Sequence, residues 1–404
     1  MDLKIFAKTI EDACRDQVMT LARQQAFKDA KIRIMPDCHA GKGCVIGFTA
    51  DLGDKVVPNL VGVDVGCGMY VVYLGKYSLS ESQLAAVDEF IHLHIPSGEN
   101  VNDKASTVMF DDLPKLRMYG ALKNVDRIHS SIGSLGGGNH FIELDMDSQG
   151  GLFLVIHSGS RNLGKQVCNY YQKIAIDECN FKTKQIKEET EFFIKKLKEE
   201  GRQKEISGTI KELRKKYGNE NKIPDELCYL TGQSRDAYLF DMSICQSFAT
   251  KNREEIARRI YGFLHDRFGV EVYYSFQTVH NYIDFDDNIV RKGAIRCNKG
   301  ERVIIPLNMR DGSILAVGKG NLDWNYSGPH GAGRLMSRKE AKQSISMEDF
   351  KNSMAGIYTT SVDEGTLDES PMAYKNAQEI IEAVKDTVEI ETIIRPIYNF
   401  KASE

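Results

Sequence analysis

The sequence has no Cys-x-x-Cys pair, no Gly-Lys-Ser/Thr signature and no apolar run approaching 18 residues. Each absence excludes a class. Nine cysteines at irregular spacings, an odd number in a chain this large, do not make a disulfide framework; they read as free thiols of a reducing compartment, and a cytoplasmic protein is expected. Two glycine-rich strings, GGGNH at 136–140 and VGKGN at 317–321, are followed by no GK[ST], and the first is not GxGxxG, so neither a P-loop nor a Rossmann unit is indicated. Without a long apolar run no membrane span is expected. The start, MDLKIFAKTIEDACRD, lacks a positive head followed by an apolar stretch, so no signal peptide is expected there. Charge of one sign is also scarce. A formal net charge of −4 is not that of a nonspecific nucleic-acid coat, although a local basic groove can neutralise a few phosphates within an acidic protein.

What is present is a chain of 404 residues, 42% hydrophobic and 27% charged, enough to bury a large core. Residues 1–30 are expected to be largely helical, since DACRDQVMTLARQQAFKDA contains good helix formers and neither proline nor glycine. A strand, KIRIM, follows and should end at Pro36. From Cys44 to Ile46 and from Val56 to Val72, short apolar strands alternate with glycines. A helix is predicted over 80–94, a loop over 97–104, and strands at FIELD and GLFLVIHSGS. Residues 165–215 change character: amphipathic KQVCNYYQKIAIDECN gives way to a stretch dense in lysine and glutamate, which reads as exposed helices. Another helix spans 236–268. EVYYSFQTVHNYIDF and 290–317 return to strand, and the helix AYKNAQEIIEAVKDTV precedes a last strand, EIETIIRPIYNFKA. The pattern is α+β, without repeats and without a marked domain boundary.

The strongest local string is VGVDVGCGM at 61–69. Asp64 and Cys67 lie three apart among glycines that let the backbone turn tightly and leave room for a ligand. A carboxylate and a thiolate brought together can bind a transition metal, and manganese and zinc both suit these ligand types. A glycine-rich turn holding a buried cysteine is the alternative. Of nine histidines, five sit in glycine-, asparagine-, serine- or aspartate-rich contexts: His39, His140, His157, His280 and His330. Such contexts present functional groups on a scaffold. His92, His94, His129 and His265 have ordinary surroundings and are expected to be structural or exposed. Together with Asp64 and Cys67, the five suggest one site assembled from distant segments, with more groups than one ion needs. One histidine is then left for covalent chemistry. His330, in NYSGPHGAGRLMSR, is the best candidate: Pro329 restrains its approach, backbone N–H groups at Gly331, Ala332 and Gly333 can hold a phosphate, and Arg334 can supply a guanidinium fork. A further metal ligand or a turn histidine is the alternative. Arg161, in HSGSR, and Lys292 and Arg296, in RKGAIRCNKG, are further phosphate-handling candidates, set against plain solvated charge.

These segments together resemble the RtcB family of GTP-dependent RNA ligases. The matching stretches are MPDCHAGKG at 35–43, VGVDVGCGM at 61–69, GGGNHFIE at 136–143, VIHSGSRNLG at 155–164, VHNYI at 279–283, RKGAI at 291–295 and PHGAGRLMSR at 329–338. AYKNAQEII and RPIYNFKA complete the set. The resemblance implies an RtcB-type fold, with central antiparallel β-sheets flanked by helices, in a single catalytic domain over 1–404 into which a lysine- and glutamate-rich helical segment, 180–225, is inserted. It implies GTP and two manganese ions as cofactors. Cys67 would bridge the ions, Asp64 and His140 would complete one and His157 and His280 the other; His39 receives no role. His330 would be guanylylated and Asp37 would orient its imidazole. Asn139 and Asn281 would contact the nucleotide phosphate or its surroundings, Glu143 the guanine edge, and Tyr374 and Lys401 the base. The reaction implied is the joining of RNA ending in a 2′,3′-cyclic phosphate or 3′-phosphate to a 5′-hydroxyl RNA end, in tRNA splicing or RNA repair. The RNA backbone would lie along Arg161, Arg334, Lys292 and Arg296. A monomer is expected, and an activating protein partner stays open.

One stretch departs from the family pattern. Where many members carry a PGSMG-like segment, this chain has PLNMRDGS at 306–313. Ser313 still aligns with a nucleotide-contacting serine, but Arg310 and Asp311 change the loop, which bears on base or RNA preference more than on chemistry.

Overall fold

The computed structural model describes residues 2–402 apart from 42, 52 and 218–222. Residues 218–222 of the expected insertion and Lys42 of the MPDCHAGKG stretch therefore lie outside the described residues. The centre is a seven-stranded antiparallel sheet in the order Arg302–Asn308, Gly312–Gly318, Val388–Lys401, Phe141–Met146, Gly151–Ser158, Gly68–Lys76, Tyr274–Val279. Its two outer strands approach each other, so the sheet curls into a near-barrel. Register shifts between Leu315 and Ala316 and between Pro396 and Tyr398 give the long last strand the bends that this closure needs.

Alternation along the strands separates two cores. Met69, Val71, Phe153, Val155, Ile304, Leu315 and Ile394 point into the near-barrel. Val72, Leu154 and Ile156 point the other way, onto Val87 and Ile91 of the helix Glu81–His94 and Ile256, Ile260 and Leu264 of the helix Gly232–Phe268. A second sheet of five strands has the order Asp2–Ile5, Lys31–His39, Ile46–Asp51, Ile289–Lys292, Asn281–Ile283. A two-stranded ribbon, Ala294–Arg296 with Ser327–Pro329, connects the two halves. This is the mixed α+β architecture, with antiparallel sheets flanked by helices, that the sequence implies. Among the described residues no helix is long and apolar enough to cross a membrane.

Four local expectations are corrected. Residues 2–5 form a strand parallel to Lys31–Ile34, and the first helix begins only at Asp12. The strand Lys31–His39 runs through Pro36, because pairing with its neighbour lapses between Ile34 and His39 and the missing N–H is not needed there. Within the expected strand region 56–72, Pro58 starts a helical turn, Pro58–Val61, at the position where proline suits a helix. The helix expected over 373–388 is only Ala377–Ala383. Its first residues are drawn out instead: Lys375 N–H donates to Gly333 O at 3.0 Å and Leu335 N–H to Ala373 O at 2.9 Å. The lysine- and glutamate-rich segment does form helices, Phe181–Glu199 and Ile206–Tyr217.

Candidate functional site

Strand register explains how residues scattered from 64 to 280 meet. Phe141 and Met69 both pair with His157, and Gly68 pairs with Ser158 on one side and Val279 on the other. Cys67, His140, His157 and His280 therefore all lie at the same end of four adjacent strands. Cys67 Sγ is 3.4 Å from His140 Nε2 and 3.3 Å from His157 Nε2. His157 Nε2 is 3.4 Å from His280 Nε2, and His140 Nε2 is 3.1 Å from Asp64 Oδ2. The donor atoms of Cys67, His140 and His157 lie within 4.8 Å of one another, a buried group that could hold a metal ion.

The imidazoles are fixed from behind. His140 Nδ1 meets Leu135 O at 2.9 Å and His157 Nδ1 meets Asn139 O at 3.0 Å, so both rings turn Nε2 toward the thiol, as metal-ligating histidines do. Asp64 is reached by Ser160 N–H at 3.1 Å, and a side chain on Gly159 would fall on its carboxylate. Burial alone would raise Asp64, but His140, Cys67 and Arg161 overcome it and hold it below the usual carboxylate value. Burial keeps His157 and His280 well below the ordinary imidazole value, hence neutral and able to coordinate. Burial and then Asp64 push the Cys67 thiol well up; a divalent cation among these donors would favour the thiolate instead. The donor set of thiol, imidazoles and carboxylate fits a transition metal, manganese or zinc among them.

His330 stands beside this cluster, its ring centroid 4.9 Å from that of His280. Its Nδ1 lies 2.7 Å from Asp37 Oδ2. Asp37 is fully buried. The structure explains the HGAGR glycines partly differently from the sequence. Gly333, at φ +75°, leaves the space that Asp37's backbone fills, since a Cβ there would strike the Asp37 carbonyl. That contact holds the His330 segment against the strand bearing Asp37.

His330 opens into a cavity of about 460 Å³ lined also by His39, Asn139, Glu143, His157, Gly331, Ala332, Gly333, Arg334, Tyr374 and Lys401. Deep in it, burial raises the Glu143 carboxyl to about 7, against the lowering effects of Asn399, whose Nδ2 donates at 2.6 Å, and Lys401. Glu369, which the sequence reading missed, organises the other wall. It accepts from Lys401 Nζ at 2.9 Å, Tyr374 Oη at 2.5 Å and Arg334 at 3.2 Å. Burial would raise Glu369, but Lys401, Arg338 and Arg334 hold it down at about 2. No local pattern marks it: Tyr374 stands five residues after, but the two cationic partners, Arg334 and Lys401, stand 35 residues before and 32 after, on other elements. Asn281 lies outside the cavity lining, between Asp64 O and Gly293 N–H. Ser313 is fully buried in the sheet with its Oγ unpaired. Arg310 and Asp311 pair with each other in the turn beyond the cavity-lining Asn308 and Met309.

Of the four basic residues, only Arg334 reaches the cavity. Arg161, held at φ +57° beside Asp64, donates to Ser134 Oγ and Gly98 O. Arg296 is paired with Asp284 and Glu301. Lys292 is buried, with Nζ 3.0 Å from Asn59 O and 3.3 Å from Cys44 O. His129 is structural, accepting Phe110 N–H at 3.1 Å, while His92, His94 and His265 lie on exposed helix faces.

The profile of the family described as tRNA-splicing ligase RtcB matches residues 17–402. The RNA-splicing ligase RtcB of Escherichia coli K12 is 28% identical over 417 residues, covering 93% of each chain. The tRNA-splicing ligase RtcB of Nanoarchaeum equitans is 25% identical over 475 residues, covering 94% of this chain and 90% of the relative. The RNA-splicing ligase RtcB of Mycobacterium tuberculosis is 26% identical over 433 residues, covering 86% and 91%. With its buried cysteine–histidine cluster beside a histidine–aspartate pair, this chain belongs to the RtcB family of RNA-splicing ligases.

Proposed function

We propose that this chain joins RNA ending in a 2′,3′-cyclic phosphate or 3′-phosphate to a 5′-hydroxyl RNA end, through a guanylylated His330, consuming GTP to GMP and diphosphate. Residues 1–404 would act as one catalytic domain carrying the 180–225 helices as an insertion. The carrying observation is the 2.7 Å contact of His330 Nδ1 with buried Asp37, beside the Cys67 cluster and inside one cavity. With Nδ1–H donated to the carboxylate, Nε2 keeps its lone pair for attack on the α-phosphorus, and the imidazolium character of the adduct is offset by Asp37.

Asp64, Cys67, His140, His157 and His280 would hold two manganese ions, which would offset phosphate charge. Asn139, at the cavity wall, would meet the phosphate, and the Gly331–Gly333 backbone would flank it. Glu143, buried and close to titrating, would read the guanine edge; Tyr374 and Lys401, tied together by Glu369, would form a wall for the base. Asn281 would steady the Asp64 turn through its bond to Asp64 O.

Incubation with manganese and GTP labelled at the α-phosphate tests the reading. Acid-labile label on the folded, metal-loaded protein is expected, and its absence would sink the ligase mechanism. Label persisting in His330→Ala would overturn the residue assignment.

A further inference from the structure

His39 has no part in the mechanism so far, yet it lines the same cavity as His330. Asp37 fixes both rings. Its side chain meets His330 Nδ1 at 2.7 Å, and its backbone carbonyl meets His39 Nδ1 at 3.0 Å. Two imidazoles are thus held in the tautomer that leaves Nε2 unprotonated. One nucleophile accounts for one of them.

The chemistry indicates where a second is needed. An imidazole lone pair attacks GTP, and a phosphate oxygen attacks the guanylyl group; neither attacker must lose a proton at neutral pH. The 5′-hydroxyl of the second RNA must, as must the water that opens a 2′,3′-cyclic phosphate, a step that an RNA already ending in a 3′-phosphate does not need. We propose that His39 Nε2 is the general base of the joining step, an inference that rests on the ligase reading. The hydroxyl O–H bond breaks and its proton passes to His39 Nε2. The hydroxyl oxygen forms the new bond to the 3′-phosphorus. The bond from that phosphorus to the bridging oxygen of the guanylyl group breaks, and its electron pair leaves with GMP.

The surroundings suit a neutral base. Burial lowers His39 to about 4, with a rise from Asp37 and further lowering by His330 and Arg334. Glu11, Glu340 and Arg338 also face the cavity. Before substrate binds His39 is therefore uncharged across neutral pH, and anionic RNA ends in the cavity raise its basicity toward that range.

The test compares wild type, His39→Ala and His39→Gln with manganese, labelled GTP and two RNA strands, one with a 3′-phosphate and one with a 5′-hydroxyl. Both variants should still label His330, which also reports folding. Joining by guanylylated enzyme should fall ~10²- to 10⁴-fold, the usual contribution of a positioned base. The residual rate should rise in proportion to hydroxide where wild type is flat, and added imidazole should partly restore His39→Ala. Loss of labelling and joining together in both variants would overturn the proposal in favour of a role in shaping the nucleotide site. Joining at the wild-type rate would overturn it too. Failure of wild type itself to take label would sink the ligase reading instead.

Discussion

Asp37 and His330 are joined twice: Asp37 Oδ2 accepts the His330 backbone N–H at 3.2 Å and faces its Nδ1 at 2.7 Å. One carboxylate oxygen thus fixes both the position and the tautomer of the imidazole. Asp37→Asn should separate the two. An amide of the same shape can turn its N–H₂ toward Nδ1, which then becomes the acceptor and places the proton on Nε2. Guanylylation should fall by up to about 10⁴-fold, the loss in a serine-protease triad on the equivalent change, while thermal unfolding stays close to wild type. Label formation at the wild-type rate would show that the carboxylate does not set the tautomer.

That pair also shows what the sequence could and could not convey. His330 was legible as a member of a glycine-flanked string, and so were Asp64, Cys67, His140, His157 and His280, because tight turns at strand ends need glycine; Asp37, inside the strand Lys31–His39, was indicated only by the family resemblance. Their convergence is a matter of strand register, which no local string records. Glu369 was illegible for the same reason, since its whole role is set by Lys401, Tyr374 and Arg334 from other elements. Pro36 misled because a proline in a strand is tolerated where the ladder is already interrupted. That Lys292 is buried was not legible either, because a basic run does not tell which of its members turns inward.

Cys67 sits between His140 and His157, so its sulfur is the common neighbour of both rings. Cys67→Ala should leave those imidazoles in place, since Leu135 O and Asn139 O hold them from behind. The expected result is lowered metal content after manganese loading and dialysis, measured by elemental analysis, with loss of guanylylation. Wild type treated with chelator should lose guanylylation likewise and regain it on adding manganese. Stoichiometric retention of two ions by the variant would contradict the bridging role.

Glu369 carries a pH-dependent share of stability. Its folded value of about 2 lies below the ordinary 4.5. The carboxylate therefore stabilises the fold fully above about 4.5, and the contribution is lost as pH falls from there toward 2. Glu369→Gln removes the charge and leaves Lys401 and Arg334 without their carboxylate partner, while Arg338 keeps Asp368. Breaking a buried pair of this kind costs about 3–5 kcal/mol. Urea unfolding at a series of pH values should show the variant furthest below wild type near neutrality, with the gap closing through that acid window. A gap independent of pH would mean that shape, not charge, is what Glu369 contributes.

Lys292 distinguishes a structural lysine from an RNA contact. Its Nζ reaches the carbonyls of Asn59 and Cys44, and burial lowers its pKa. Lys292→Met keeps the stem and removes the donor. Leaving the two carbonyls without it should cost about 1–3 kcal/mol of stability. Because the ammonium faces protein, the salt dependence of RNA binding should not change. Filter-binding titrations over a range of salt, alongside urea melts, measure both. A lowered slope with unchanged stability in Lys292→Met would return Lys292 to the RNA groove that its basic context suggested.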